Sequence, residues 1–339
     1  MRPSVSRSAD DWKRDFDLMK ASGITGVIPE VYNGRQTLFR SSRLPVRAPW
    51  LESAIPIATS AGLEVHAWMW CMPCLLDDVI KQHPDWYNVN AKGESAVDKP
   101  AYVDYYKFLD PARTEVREFV RDTVRELAGI PGLTGIHLDY IRHPDAILPR
   151  DLWSKYGIVQ DKVYPPYDYG YSEYSRRLFK SRFGVDPIDS EATERSGRSA
   201  DWLQYRLDSV VDLVNKYLVP AAKAGGKKIS AAVFPGPSLA RTMVRQDWGR
   251  FQLDAYFPML YHSFYQEGPE WVGRYTAEAV RTVKSPVHSG MFVSPMTDAE
   301  FARTIELALS NGAAGVSIFD AGAMNPARWA LLGKAVGAK

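Results

Sequence analysis

Short apolar runs, hydrophobic at every second position, alternate along the chain with longer segments whose apolar residues recur every three to four positions. The first pattern suits a strand, whose side chains alternate between faces, and the second a helix with one buried stripe. Helices are predicted at Asp10 to Ser22, closed by Gly23, and at Trp50 to Ala61, closed by Gly62. A third runs through PARTEVREFVRDTVRELAG with Pro111 near its first turn, and others lie near Ser199 to Ala224, Glu270 to Val283 and Asp298 to Asn311. Between them fall the strand-like runs ITGVIPEVY, LEVHAWMW, LTGIHLDYIRHP, KISAAVF, LDAYFPMLYH, SPVHSGMFV and AGVSIFDAG, with a shorter link from Thr242 to Phe251.

Strands alternating with helices are what βαβ units and a parallel sheet produce. The 339 residues fit one α/β domain, a (β/α)8 TIM barrel spanning 1–339 with enlarged loops. Seven strands are read, so an eighth has to precede the first helix, where about ten residues remain. Either MRPSV supplies a ragged strand, or the first strand is missing from the chain, or the barrel is incomplete. The stretch after LDYIRHP, about 144–199, is too long for an ordinary βα loop and reads as an insertion over the barrel mouth. Its VYPPYDYGYSEYS tyrosines suit either a substrate cleft or packing of the insertion onto the barrel.

Charge changes this picture little. Forty-two basic and 40 acidic residues leave a formal +2, which gives no electrostatic case for nucleic acid or an anionic membrane as partner. The 10 Trp and 18 Tyr hint at a carbohydrate partner, since both side chains offer a flat apolar face with a polar tip. Cys71 and Cys74 form a C-M-P-C run, but they follow an apolar strand and precede no clear helix start, so burial or an incidental disulfide is expected over redox chemistry. No run approaches the ~18 apolar residues of a membrane span, and MRPSVSRSADDW lacks the apolar core of a signal peptide. The expected compartment is extracytoplasmic, periplasmic or secreted, with a leader absent from this chain, and a cytoplasmic location stays open.

In parallel barrels the chemistry sits at the C-terminal ends of the strands, so polar residues closing an apolar strand carry most weight. In GIHLDYIRHP the alternation puts His137, Asp139 and Ile141 on one face and Leu138 and Tyr140 on the other. A carboxylate on the inward face is costly to bury without a function or a partner, and the alternative to catalysis is a pair with Arg142 or another basic group. Glu30 closes its strand on the face expected for Ile28 and Tyr32. Asp320 closes VSIFD, where a helix-capping role competes, and Glu267 follows LDAYFPMLYHSFY, where plain solvation competes. His66, Trp68 and Trp70 share one face of LEVHAWMW, and Tyr261 and His262 end another strand.

The six histidines form no convincing metal set, and no nucleophile elbow, P-loop or dinucleotide fingerprint is present, so neither metal nor cofactor is expected. What remains is carboxylate and aromatic chemistry, the equipment of a glycosidase, in which one carboxylic acid protonates the leaving oxygen and a second carboxylate attacks or activates water.

The segments HPDWYNVNAKGES, FLDPARTEVREFVRDTVREL, GIHLDYIRHP, AAVFPGP and FPMLYHSFY resemble the bacterial glycosyl-hydrolase-like barrel proteins labelled family-10-like. GIHLDYIR is also similar to the strand end bearing the nucleophile in the α-amylase and α-galactosidase superfamilies. The resemblance implies a (β/α)8 barrel, retaining or inverting hydrolysis of a glycan with retention favoured, and Asp139 as nucleophile after the fourth strand. It departs at KISAAVF, where no glutamate supplies the amylase-like acid, leaving Glu30, Asp320 and Glu267 as candidate donors.

The expected function is therefore glycoside hydrolysis in carbohydrate metabolism or polysaccharide degradation. Asp139 is expected to stay ionised near Arg142, and the donor to have a raised pKa. Trp68, Trp70 and Tyr261 are expected as subsite walls. Tyr140, Arg142, His143 and His262 are expected to orient hydroxyls, with His66, His137 and Tyr32 as further contacts. A non-catalytic carbohydrate-binding barrel and a metal-dependent hydrolase or deacetylase using His137 and Asp139 are the alternatives.

Overall fold

The computed structural model describes residues 1–338. Two short strands, β1 (Gly26–Val27) and β2 (Glu30–Tyr32), are the halves of ITGVIPEVY, and both pair in parallel with β3 (Glu64–Trp70). The sheet continues in parallel through β4 (Gly135–Asp139), β5 (Lys228–Val233) and β6 (Ala255–Pro258). Two bridges, Tyr256 to Val287 and Met259 to Gly290, join β6 to the parallel pair β7 (His288–Phe292) and β8 (Gly315–Phe319). The seven runs read as strands thus occupy consecutive positions in one all-parallel arrangement.

The sheet curls, bringing Trp68 of β3 edge-on to Phe319 of β8 at 6.0 Å between ring centroids. Among the described residues no strand pairing joins β8 to β1 or β2. On the β2 side the backbone of Met1 bonds in the manner of a parallel neighbour. Its amino group donates to the Ile28 carbonyl at 2.8 Å, and its carbonyl accepts from the Glu30 N–H at 2.9 Å. The asymmetry shows in burial: all five residues of β4, flanked on both edges, are buried, whereas all five of β8 are only half-buried.

The helices follow from local signals. Ala9–Ala21 starts with a capping box of Ser8 and Asp11, and Asp298–Ser310 with one of Thr297 and Glu300. In Thr114–Ala128 the buried residues Val116, Val120, Thr123, Val124 and Leu127 recur at helical spacing and face the sheet. Ser199–Asp212 continues to Ala224 through a wide turn at Leu213–Leu218. Pro220, which has no N–H to donate, follows that turn.

Six helices lie outside the sequence reading, two of them the short Trp153–Tyr156 and Ser190–Arg195 within the stretch 144–199. Pro326–Val336 follows β8, with Asn325 as its cap and Pro326 at its first position, signals available in the sequence. Glu173–Phe183 gives the insertion a longer helix, capped by Ser172. Pro237–Met243 lies between KISAAVF and the short link, overlapping it only at Thr242 and Met243, and Asp77–Gln82 begins soon after Cys74, where no helix start was expected. Both cysteines are free and buried, and burial raises each thiol's pKa, so neither forms a disulfide nor is a reactive thiolate.

Candidate active site at the C-terminal edge of the sheet

Asp139 closes β4 at the end of the sheet from which the long loops emerge. One carboxylate oxygen, Oδ1, accepts the backbone N–H of Tyr140 at 2.7 Å, and the other, Oδ2, accepts the Trp68 indole N–H at 3.0 Å. The backbone turns sharply here, with Tyr140 in the left-handed region at φ 51°, uncommon for a bulky residue. That turn breaks the alternation expected through Tyr140. Its ring, instead of joining Leu138 on the outer face, lies 4.9 Å from the Trp70 ring.

Glu30 reaches the same region from β2. Its Oε2 accepts the Trp70 indole N–H at 3.1 Å and the Arg2 Nε–H at 3.3 Å. In register Glu30 stands beside Trp68, and Asp139 beside Trp70. The two indoles therefore cross: each binds the carboxylate that lies beside the other. With neighbouring strands about 4.8 Å apart, two strand spacings separate the Glu30 and Asp139 backbones by on the order of 10 Å, and both side chains reach inward. The Arg2 guanidinium also sits over the Trp68 and Phe319 rings at 5.6 and 5.7 Å.

Burial pushes the Asp139 carboxyl up to about 6. The Tyr140 N–H, the charge of Arg142 and the Trp68 indole act the other way without overcoming it, and the negative charge of Glu30 adds to the rise. The rise runs against the expectation that Arg142 holds this carboxyl low, although at about 6 it is still largely ionised at pH 7. The Arg142 guanidinium is turned away, donating to Asp145 at 2.9 Å and to the His143 carbonyl at 3.0 Å, within a cage of Tyr106, Phe108, Tyr140 and Phe234. It acts on Asp139 at a distance rather than as a partner.

A second aromatic group meets Trp68 through Phe319. Tyr261 stacks on Phe319 at 5.9 Å, and Phe292 packs against Tyr261 and Phe264. Burial, then the negative charges of Asp139 and Asp320, raise the Tyr261 hydroxyl pKa, so it is neutral, with both of those carboxylates within electrostatic reach. Asp320 itself accepts the Gly322 N–H at 2.9 Å, the capping role weighed for it.

Several candidates lie elsewhere. Tyr32 is separated from Glu30 by a bulge: Glu30 pairs with Trp68 but Tyr32 with Met69, so the ring turns into the core near both cysteines. His66 and His137 share the inward face but lie lower along it. His66 pairs with Glu64 at 3.0 Å near the start of β3, and His137 shares a hydrogen bond with Ser230 at 2.9 Å against the Phe257 ring. Burial, aided by the charge of neighbouring His66, lowers His137 to about 3. His143 is buried under the insertion between Asn88 and Ser209. His262 is buried, its Nδ1 without a partner, and Glu267 is exposed near Arg274. Among the described residues no cluster of three or more His, Cys, Asp or Glu side chains could hold a metal ion.

Sequence reasoning missed Arg2, Phe292, Phe319 and Tyr105, whose ring packs against Trp70. Phe292 and Phe319 end strands on the inward face and were open to the same test that found Trp70; Arg2 and Tyr105 carry no local signal. The insertion is anchored through Asp168, whose Oδ1 accepts from Arg206 at 2.6 Å and from Arg245 at 2.8 Å, while Tyr171 donates to Oδ2 at 3.1 Å.

No family model matches the sequence, and no curated protein matches it at a significant level. Solved structures match by fold. The glycoside hydrolase domain of PgaB (BpsB) from Bordetella bronchiseptica superposes with a TM-score of 0.75 at 13% identity, over 97% of this chain and 94% of that one. The β-galactosidase of Marinomonas ef1 gives 0.66 at 14%, and a GH42 β-galactosidase from G. stearothermophilus 0.66 at 13%. This chain spans 57% and 55% of those two enzymes' lengths. At such identities the likeness is one of fold, the α/β fold of glycoside hydrolases, and these three neighbours do not single out the family-10-like or amylase groups.

Proposed function

We propose that the protein hydrolyses glycosidic bonds, with Asp139 as proton donor and Glu30 as the carboxylate acting on the opposite side of the scissile bond. The observation that carries this reading is the crossed arrangement at the sheet edge. Two carboxylates on the inner face, one raised to about 6 and the other paired with a guanidinium, meet the two-carboxylate requirement of acid-assisted glycosidic cleavage. On this reading the role of Asp139 is the reverse of the one the sequence motif implies, because burial outweighs the donors that would hold its pKa low. Trp70 and Tyr140, together with Tyr261, Phe292 and Phe319, offer ring faces for a sugar. The glycoside hydrolases that share the fold lend further support. The curled sheet corresponds on this reading to a (β/α)8 barrel, within the family-10-like group that the motifs resemble, in which Met1 backbone stands where a first strand would pair.

The test is release of reducing sugar from aryl glycosides and from bacterial, plant and host glycans by wild type, Asp139→Asn and Glu30→Gln. Turnover by wild type and its loss by at least about 100-fold in each variant are expected. An Asp139→Asn protein of normal activity refutes the assignment. Glycan binding without turnover by wild type moves the reading to a non-catalytic carbohydrate-binding protein.

A further inference from the structure

The aromatic surface does not end at the candidate site. Tyr105, in the loop after β3, is 38% exposed and has its ring 5.7 Å from that of Trp70. Beyond it the rings continue toward the insertion in short steps. Tyr105 meets Tyr106 at 5.2 Å, Tyr106 meets Tyr102 at 6.3 Å, and Tyr102 is stacked on Tyr167 at 4.8 Å and packed against Tyr156 at 5.7 Å. The Tyr105 hydroxyl is within electrostatic reach of Tyr156, so loop and insertion face one another. Tyr102 is the internal support of this strip. Its hydroxyl donates to the Asp145 carbonyl at 2.6 Å, and its backbone is held in the left-handed region at φ 63°. Tyr156 and Tyr167 are only half-buried.

We propose that Tyr105, Tyr156 and Tyr167 form a glycan-contact surface continuous with the candidate active site, holding sugar units beyond the bond that is cut, so that the protein prefers long glycan chains to short glycosides. The proposal rests on the glycosidase reading. It adds a substrate class, a polymeric glycan, and residues that reading does not use. Two observations favour a sugar chain as occupant. The strip starts at Trp70, whose indole binds Glu30, so a ligand lying along it runs into the carboxylates. Its members offer ring faces with hydroxyl tips, the combination that stacks on and bonds to a pyranose.

The experiment uses oligosaccharides of two and six units from the cello, chito, xylo and galacto series, with the double variant Tyr105→Ala/Tyr156→Ala. Hydrolysis is read as the ratio of kcat/KM for six units over two. Binding is read by calorimetry with six-unit probes, in the Asp139→Asn background. A ratio lowered at least tenfold is expected, with six-unit affinity weakened to match, and Tyr105→Phe/Tyr156→Phe should restore both because the ring faces return. Melting curves confirm that each variant is folded.

A ratio unchanged in the alanine variant overturns the proposal and leaves the glycosidase reading standing. Binding that depends on the tyrosines, with no hydrolysis by wild type, sinks the glycosidase reading and leaves the surface in place. Absence of glycan binding across the panel, or binding of a proline-rich peptide in its stead, overturns the proposal.

Discussion

Asp139 and Asp168 are both buried carboxylates on the loop side of the sheet, and they are driven in opposite directions. Burial pushes each up. At Asp168 the guanidiniums of Arg206 and Arg245 overcome it and hold the carboxyl at about 2, whereas at Asp139 two hydrogen bonds and a distant arginine leave it at about 6. A cation in contact makes a buried carboxylate a structural anchor; a cation turned away leaves it able to exchange a proton near neutrality. The comparison separates what fixes the insertion from what can do chemistry.

The largest effect expected from breaking this contrast is on catalysis. Asp139→Asn should lower kcat/KM by roughly 100- to 10,000-fold, measured on whichever glycoside wild type cleaves. The same change should raise the melting temperature at pH 8. A folded-state pKa raised from 3.8 to about 6 contributes stability that is fully present below 3.8 and lost as pH rises through 6. Above that the buried carboxylate costs on the order of 3 kcal/mol. A variant that is inactive and also less stable at pH 8 contradicts the account of Asp139.

Asp168→Ala should destabilise by about 3–5 kcal/mol, since it leaves two buried guanidiniums without an anion. Urea unfolding checks this, and a cost below 1 kcal/mol removes the anchor role. Activity that needs protonated Asp139 should fall as pH rises through about 6, seen in the alkaline limb of kcat/KM. Stability should show an additional acid dependence from His137. Its folded pKa is depressed from 6.5 to about 3, so its contribution is present above 6.5 and lost as pH falls toward 3. His137→Gln should flatten that part of the profile. The smallest effect concerns Trp68→Phe, which removes the indole donor from Asp139. It should move the alkaline limb upward by less than about one pH unit, and a downward shift contradicts the hydrogen bond's assigned sense.

Much of this was legible in the sequence, for reasons that differ by residue. All seven strand positions and the longer helices of the reading follow from periodicity, capping boxes and closing glycines, which are local. Alternation likewise found the face shared by His66, Trp68 and Trp70, and by His137 and Asp139. It does not report height along that face, and so grouped the two lower histidines with the residues at the edge. Nor does it foresee the left-handed backbone at Tyr140, or that Arg142 would prefer Asp145, three residues on, to Asp139. The contacts of Arg2 with Glu30 and of Tyr105 with Trp70 join distant segments and leave no trace in spacing. The raised pKa of Asp139 was not foreseen because charge balance depends on which partner a guanidinium reaches.

The bulge between Glu30 and Tyr32 bears on how this molecule tolerates change in chain length. The ladder holding Glu30 against Trp68 is complete before the extra residue intrudes. The segment that follows, 33–49, folds back on β2: Thr37 bridges Tyr32, the Leu38 N–H donates to the Val31 carbonyl at 2.7 Å, and Phe39 is fully buried. In engineering terms the bulge is a slack link: it takes up one residue between Glu30 and the core side chains of 37–39, so changes of length belong at the exposed tip around Ser42 and Arg43, beyond those core residues.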